Sequence, residues 1–79
     1  MEQPMRESTF GEKAVGLAFN PSNDDAVSII KKQFAEIVDT LNAFRVVTDN
    51  AEEKRMLSIA ITEAQTAQMW AVKAVTWKF

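Results

Sequence analysis

The side chains able to do chemistry in this chain are few, and the usual catalytic ones are missing. Its 79 residues contain no His, Cys or Tyr. There is no glycine-rich strand-to-helix loop, and no carboxylate pair is spaced beyond what a solvated helix face would carry. The acidic pairs Asp24-Asp25 and Glu52-Glu53 each fall at an expected helix start, where the positive end of the helix dipole accounts for them. A zinc site would have to be built from carboxylates alone. No catalytic residue, no metal site and no cofactor is therefore expected.

Binding residues are a better search. Phe19-Asn20 immediately precedes the first long helical pattern, which sets an aromatic ring near a helix N-terminus, where backbone N–H groups favour anions. Phe19 either serves a base-plus-phosphate site there or anchors the arm on the core. Lys31 lies about 70° from the centre of the apolar stripe of that helix, so it can serve a ligand at the edge of a packed interface or snorkel to solvent. Lys32 lies nearly opposite the stripe and has Glu36 four residues on as an ion-pair partner. Further along, Arg55, Thr62 and Thr66 share one side of the second helix, with Ser58 at its edge. That row suits a polar ligand or a symmetry mate, and a merely solvated face would look the same. Trp70 and Trp77 sit seven apart with Lys73 between them, a surface better suited to an oligomer contact than to ligand stacking.

The elements that must position these residues are helical throughout. Residues 1–21 hold both glycines and both prolines and read as an irregular arm, in which Gly11 to Leu17 could form a turn or two of helix. Asn20-Pro21-Ser22 then reads as a helix start, with Ser22 able to cap. Val27, Ile30, Phe34, Ile37, Leu41 and Phe44 recur at alternating spacings of three and four, the seam of an amphipathic helix over residues 23–47. Thr48-Asp49-Asn50 breaks the pattern, and Asn50 with Glu53 has capping-box spacing. So short a connection makes the next helix, over residues 51–78, an antiparallel neighbour. Its Leu57, Ala60, Ala64, Ala67, Ala71 and Ala74 form a small-residue seam for the intrachain partner. Ile59, Trp70 and Trp77 lie on the far side, with Ile61, Val72, Val75 and Phe79 on a flank.

A single all-α domain of residues 1–79 follows, an antiparallel helical hairpin with an N-terminal arm. Its last third is apolar almost all round, more than one hairpin partner can cover. Chains this short sit near the lower limit of a self-sufficient core, and without cysteine no disulfide can help. A homo-oligomer is expected. Nine basic and eleven acidic residues give a net charge of −2, which supplies no broad basic field for a long nucleic acid. A start without an apolar leader segment, and the lack of a long uncharged apolar run, point to a cytoplasmic protein with no membrane partner.

At this level of detail the residues carry a resemblance that composition does not. Glu53 to Ala64, continuing from Ala67 through Ala74, resembles the hairpin domain of phage anti-CBASS cyclic-nucleotide sponges and the related anti-Thoeris sponges. The upstream Gly11 to Leu17, Phe19 to Ser22, and Val27 to Lys31 resemble the same family. The resemblance implies a homo-hexamer that sequesters cyclic oligonucleotide second messengers of bacterial immune cyclases without cutting them. By position it implies that Phe19 stacks on a base and Lys31 holds a phosphate, with Asn20 beside them, in pockets between protomers. The family's usual aromatic at that place is tyrosine, so Phe19 would stack without offering a hydroxyl. For cyclic trinucleotides it implies a second site using Arg55 and Thr62.

One aromatic and one cation per protomer, supplied twice by symmetry, would match the two π faces and two charges of a cyclic dinucleotide. Two other classes compete. An adaptor docking a protein through Trp70 and Trp77 should tolerate loss of Phe19 and Lys31, whereas a sponge needs both. A small phosphodiesterase should degrade the ligand.

Overall fold

The computed structural model describes residues 7–18 and 25–78. Three helices follow in chain order, α1 (Phe10–Val15), α2 (Asp25–Val47) and α3 (Ala51–Val75). The all-helical hairpin expected from the sequence is present, and the arm does contain a short helix.

The arm helix owes its ends to local chemistry. Thr9 and Glu12 form a reciprocal capping box, the Thr9 hydroxyl accepting from the Glu12 N–H at 3.1 Å and the Glu12 carboxylate from the Thr9 N–H at 2.9 Å. At the other end Gly16 adopts φ 62° and ψ 52°, a left-handed conformation that glycine enters without a Cβ penalty. The Leu17 N–H then reaches the Glu12 carbonyl at 2.9 Å and the Gly16 N–H the Lys13 carbonyl at 3.2 Å, which is the Schellman pattern.

Two charged side chains of α2 hold α1 by its opposite ends. Asp39 accepts from the Gly11 N–H at 2.7 Å and from the Thr9 hydroxyl at 2.8 Å, an anion on a helix N-terminus. Lys31 donates to the Gly16 carbonyl at 3.0 Å, a cation on the C-terminus. From α3, the Gln65 amide donates to the Ala14 carbonyl at 3.3 Å. Between these ties the two backbones nearly touch. A Cβ on Gly11 would stand 2.1 Å from the Ala35 carbonyl oxygen and 2.8 Å from an Asp39 carboxylate oxygen. Gly11→Ala must therefore lift α1 off α2. Overpacking of this kind costs roughly 1–3 kcal/mol, and the expected result is a lower unfolding midpoint than wild type at the same protein concentration.

This docking turns the hairpin relative to the expected seams. The stripe that α2 buries inside the chain is Val27, Lys31, Ala35 and Val38, with Val38 fully enclosed. The expected stripe shares only Val27 with it. Ile30, Phe34 and Leu41 are half-buried, and Ile37 and Phe44 are exposed. The reason is that α2 has two neighbours, and its best covered line lies between them rather than along its largest side chains. The alanine seam of α3 is displaced in the same way. Ile61 and Gln68 are buried, Leu57, Ala60, Ala64 and Ala71 are half-buried, and Ala67 and Ala74 are exposed.

The connection over residues 48–50 is as short as expected. Asn50 caps α3 by accepting from the Glu53 N–H at 2.9 Å. The reciprocal half of the expected box is replaced, because the Asn50 N–H donates to the Thr48 hydroxyl at 3.2 Å. Lys54 reaches back to the Arg45 carbonyl near the end of α2 at 3.4 Å. At its far end α3 stops at Val75, three residues before the expected Lys78. Thr76 closes the last turn itself, donating through both its hydroxyl (2.7 Å) and its N–H (3.1 Å) to the Val72 carbonyl. The expected start of α2 at residues 23–24, and the Ser22 cap, lie outside the described residues. Among the described residues no helix is long and apolar enough to cross a membrane.

Candidate functional site

Lys31 is the expected site residue that the fold places most tellingly. It is 5% exposed, in line with Val27, Ala35 and Val38, so it is a member of the buried stripe and not of its edge. Burying a lysine is costly unless its ammonium is engaged, and the Gly16 carbonyl engages it. An open groove of about 490 Å³ lies over this contact, lined by Lys13, Ala14, Val15 and Gly16 from the arm, by Lys31, and by Gln68, Met69 and Val72 of α3. Among the described residues its lining includes two lysines and no carboxylate. Such a concavity, apolar in its walls and positive at one side, suits a small anion with flat rings. Phe19 and Asn20, expected beside Lys31, lie outside the described residues. Lys32 and Glu36 are exposed on α2 and form no ion pair there among the described residues.

Arg55 and Thr62 both lie on the exposed face of α3, two turns apart, and they do not meet. Arg55 turns back toward Glu52 and holds its carboxylate in a fork, with Nε donating at 3.1 and 3.0 Å and a terminal nitrogen in contact with Oε1. Each partner shifts the other. The guanidinium lowers the Glu52 carboxyl below the ordinary carboxylate value, and the carboxylate raises Arg55. Because the Glu52 shift is downward, the pair is present above the ordinary carboxylate range and is lost as pH falls through that lowered value. Two of the hydroxyls along this helix are already engaged. Ser58 receives Arg45 at 3.1 Å, and Thr66 donates to the carbonyl of Thr62 at 3.2 Å.

Trp70 and Trp77 are 65% and 58% exposed, far more than rings of that size are left in a finished core. Lys73 stands between them, its ammonium 5.2 Å from the Trp70 ring and 5.8 Å from the Trp77 ring. On α2, Ile37 and Leu41 line a second open groove with Gln33, Glu36 and Thr40. Of the expected outer flank, Ile61 is buried inside the chain and Val72 forms part of the Lys31 groove, while Val75 remains exposed and Phe79 lies outside the described residues.

Sequence reasoning missed Gln68. It is 6% exposed and lines the groove next to Lys31. Its only sequence signal is its place seven residues after Ile61, on the same helical face.

The family description that matches this chain is "Acb2/Tad1, hairpin domain", over residues 12–76. The chain belongs to the Acb2/Tad1 hairpin-domain family. This is the anti-CBASS and anti-Thoeris sponge family that the sequence resembles, and the match takes in most of α1 and the whole of α2 and α3. No curated protein and no solved structure is similar enough to the chain to count as a match. Membership in a binding family agrees with the dearth of catalytic side chains. Within the matched span of the Acb2/Tad1 hairpin fall Lys31, Gln68, Arg55, Thr62 and Trp70, while Trp77 lies one residue beyond it.

Proposed function

We propose that this chain is a homo-oligomeric sponge, hexameric as its family resemblance implies, acting in the cytoplasm of an infected bacterium. It binds cyclic oligonucleotide second messengers, cyclic dinucleotides foremost, and withholds them from CBASS-type effectors without cleaving them. The observation that carries this reading is the Acb2/Tad1 hairpin match across residues 12–76. The groove beside Lys31 supports it, because two lysines over apolar walls suit a ligand made of phosphates and bases. In this reading Lys31 holds a phosphate, Phe19 stacks on a base with Asn20 beside it, and neighbouring copies close the pocket. Trp70 and Trp77 form part of the contact between copies.

Arg55 and Thr62 form the second site, for cyclic trinucleotides. The Arg55 guanidinium is held by Glu52, so a ligand phosphate must compete for it. Glu52→Gln is accordingly expected to tighten cyclic trinucleotide binding and to leave cyclic dinucleotide binding unchanged, as read by calorimetry. Titration of the assembled protein with a panel of cyclic di- and trinucleotides tests the whole reading. Saturable binding at micromolar concentration or below is expected. Heat release from none of them sinks the proposal and favours a protein-docking module built on Trp70 and Trp77.

A further inference from the structure

Gln68 and Lys31 are the two polar side chains buried among the described residues. Lys31 has the Gly16 carbonyl. The Gln68 amide has no hydrogen-bond partner among the described residues, although it is more than nine-tenths buried. Burying an amide without a partner costs free energy that an apolar residue of the same length would avoid. The amide is not sealed in, however. No fully enclosed side-chain nitrogen or oxygen among the described residues lacks a partner, so the Gln68 amide keeps its opening on the groove it lines. Nor is it needed to tie α3 to α1, since Gln65, three residues earlier, already makes that bond to Ala14. What remains is a donor and an acceptor held side by side at the wall of a groove whose lining also includes Lys31, Lys13, Met69 and Val72.

Resting on the sponge reading above, we infer that Gln68 reads a nucleobase of the bound cyclic dinucleotide, pairing its amide with the edge of an adenine. Adenine presents an N6–H donor beside the N7 acceptor, the complement of a primary amide. Guanine presents two acceptors, N7 and O6, at the same edge, and the amide carbonyl opposes one of them. The groove's lysines attract the phosphates without regard to base, so the discrimination falls to Gln68.

Gln68→Met keeps the length of the side chain and removes the amide. Calorimetry of wild type and variant, each with a diadenine and with a diguanine cyclic dinucleotide, tests the assignment. Wild type is expected to favour the diadenine ligand by about tenfold, and Gln68→Met to lose that preference by weakening the diadenine complex alone. Its unfolding midpoint should not fall, since a thioether is easier to bury than an unpaired amide. A preference that survives Gln68→Met, or a wild type without one, overturns the inference while leaving the sponge reading in place. A wild-type chain that binds no cyclic nucleotide fails the sponge reading itself, and this inference with it. Should Gln68→Met lower the midpoint, Gln68→Asn decides, because it retains an amide one methylene farther from the groove. Lost preference at wild-type stability upholds the assignment, and retained preference overturns it.

Discussion

Replacing Lys31 with Met is expected to weaken cyclic dinucleotide binding roughly 10- to 100-fold, the worth of one charge-assisted hydrogen bond, with no loss of thermal stability. The two halves of this expectation have separate causes. Lys31 sits in the buried stripe of α2 with Val27, Ala35 and Val38, and Met matches its length and its apolar stem. Exchange of a buried ammonium for a thioether removes a desolvation cost. Against that stands the lost bond to Gly16 at the C-terminus of α1, a charge-assisted hydrogen bond worth roughly 1.5–3 kcal/mol net, which offsets much of that gain. Near-cancellation in stability, combined with a large loss in affinity, marks a ligand contact. Lys31→Arg keeps the charge but not the compact ammonium that fits beneath Gly16, so only part of the affinity should return. If Lys31→Met unfolds the protein and Lys31→Arg restores both fold and binding together, Lys31 serves the fold alone.

Trp70→Ala is expected to take apart the oligomer and abolish tight ligand binding in the same concentration range. Trp70 is 65% exposed in a single copy and shares Lys73 with Trp77. Truncating a central interface tryptophan typically costs about 2–4 kcal/mol. In the proposed homo-oligomer that loss recurs at every contact, so assembly should fail at concentrations where wild type is intact. Sedimentation at matched concentrations reads the assembly, and calorimetry on the same samples reads the binding. The proposed placement of the pockets between protomers requires the two to fall together. A monomeric Trp70→Ala chain that retains wild-type affinity would show that the pocket belongs to one copy, and would remove the oligomer from the mechanism.

What the sequence made legible was mostly local. The break at Thr48-Asp49-Asn50 and the Asn50 cap rest on residues within one turn of each other, and they stand where expected. The Thr9 and Glu12 capping box is equally local, but Gly11 and Gly16 lower the helix propensity of the segment it starts, so the spacing alone does not announce a helix. The seams were not legible in this way. Which stripe α2 buries depends on where α1 docks, and that is fixed by Gly11 against Ala35 and by Asp39 and Lys31 at the two ends of α1. None of these pairs is close in sequence. The position of Lys31 at the edge of an apolar stripe is readable from helical spacing, but its burial is not. Gln68 is a glutamine on an alanine-rich helix with nothing local to distinguish it from Gln65, and only the packed arm separates their roles. The family resemblance was carried by residues along both helices, and the match over residues 12–76 establishes it.

Sequestration without cleavage is tested most directly by mass balance. The assembled protein is incubated in excess with a cyclic dinucleotide and filtered, and the retained complex is heat-denatured and its small molecules chromatographed. The account predicts a filtrate stripped of ligand and full recovery of the intact cyclic dinucleotide after heating. Recovery of linear dinucleotide or mononucleotides would contradict it and make the protein a phosphodiesterase, and a filtrate that keeps its ligand would remove the sponge altogether.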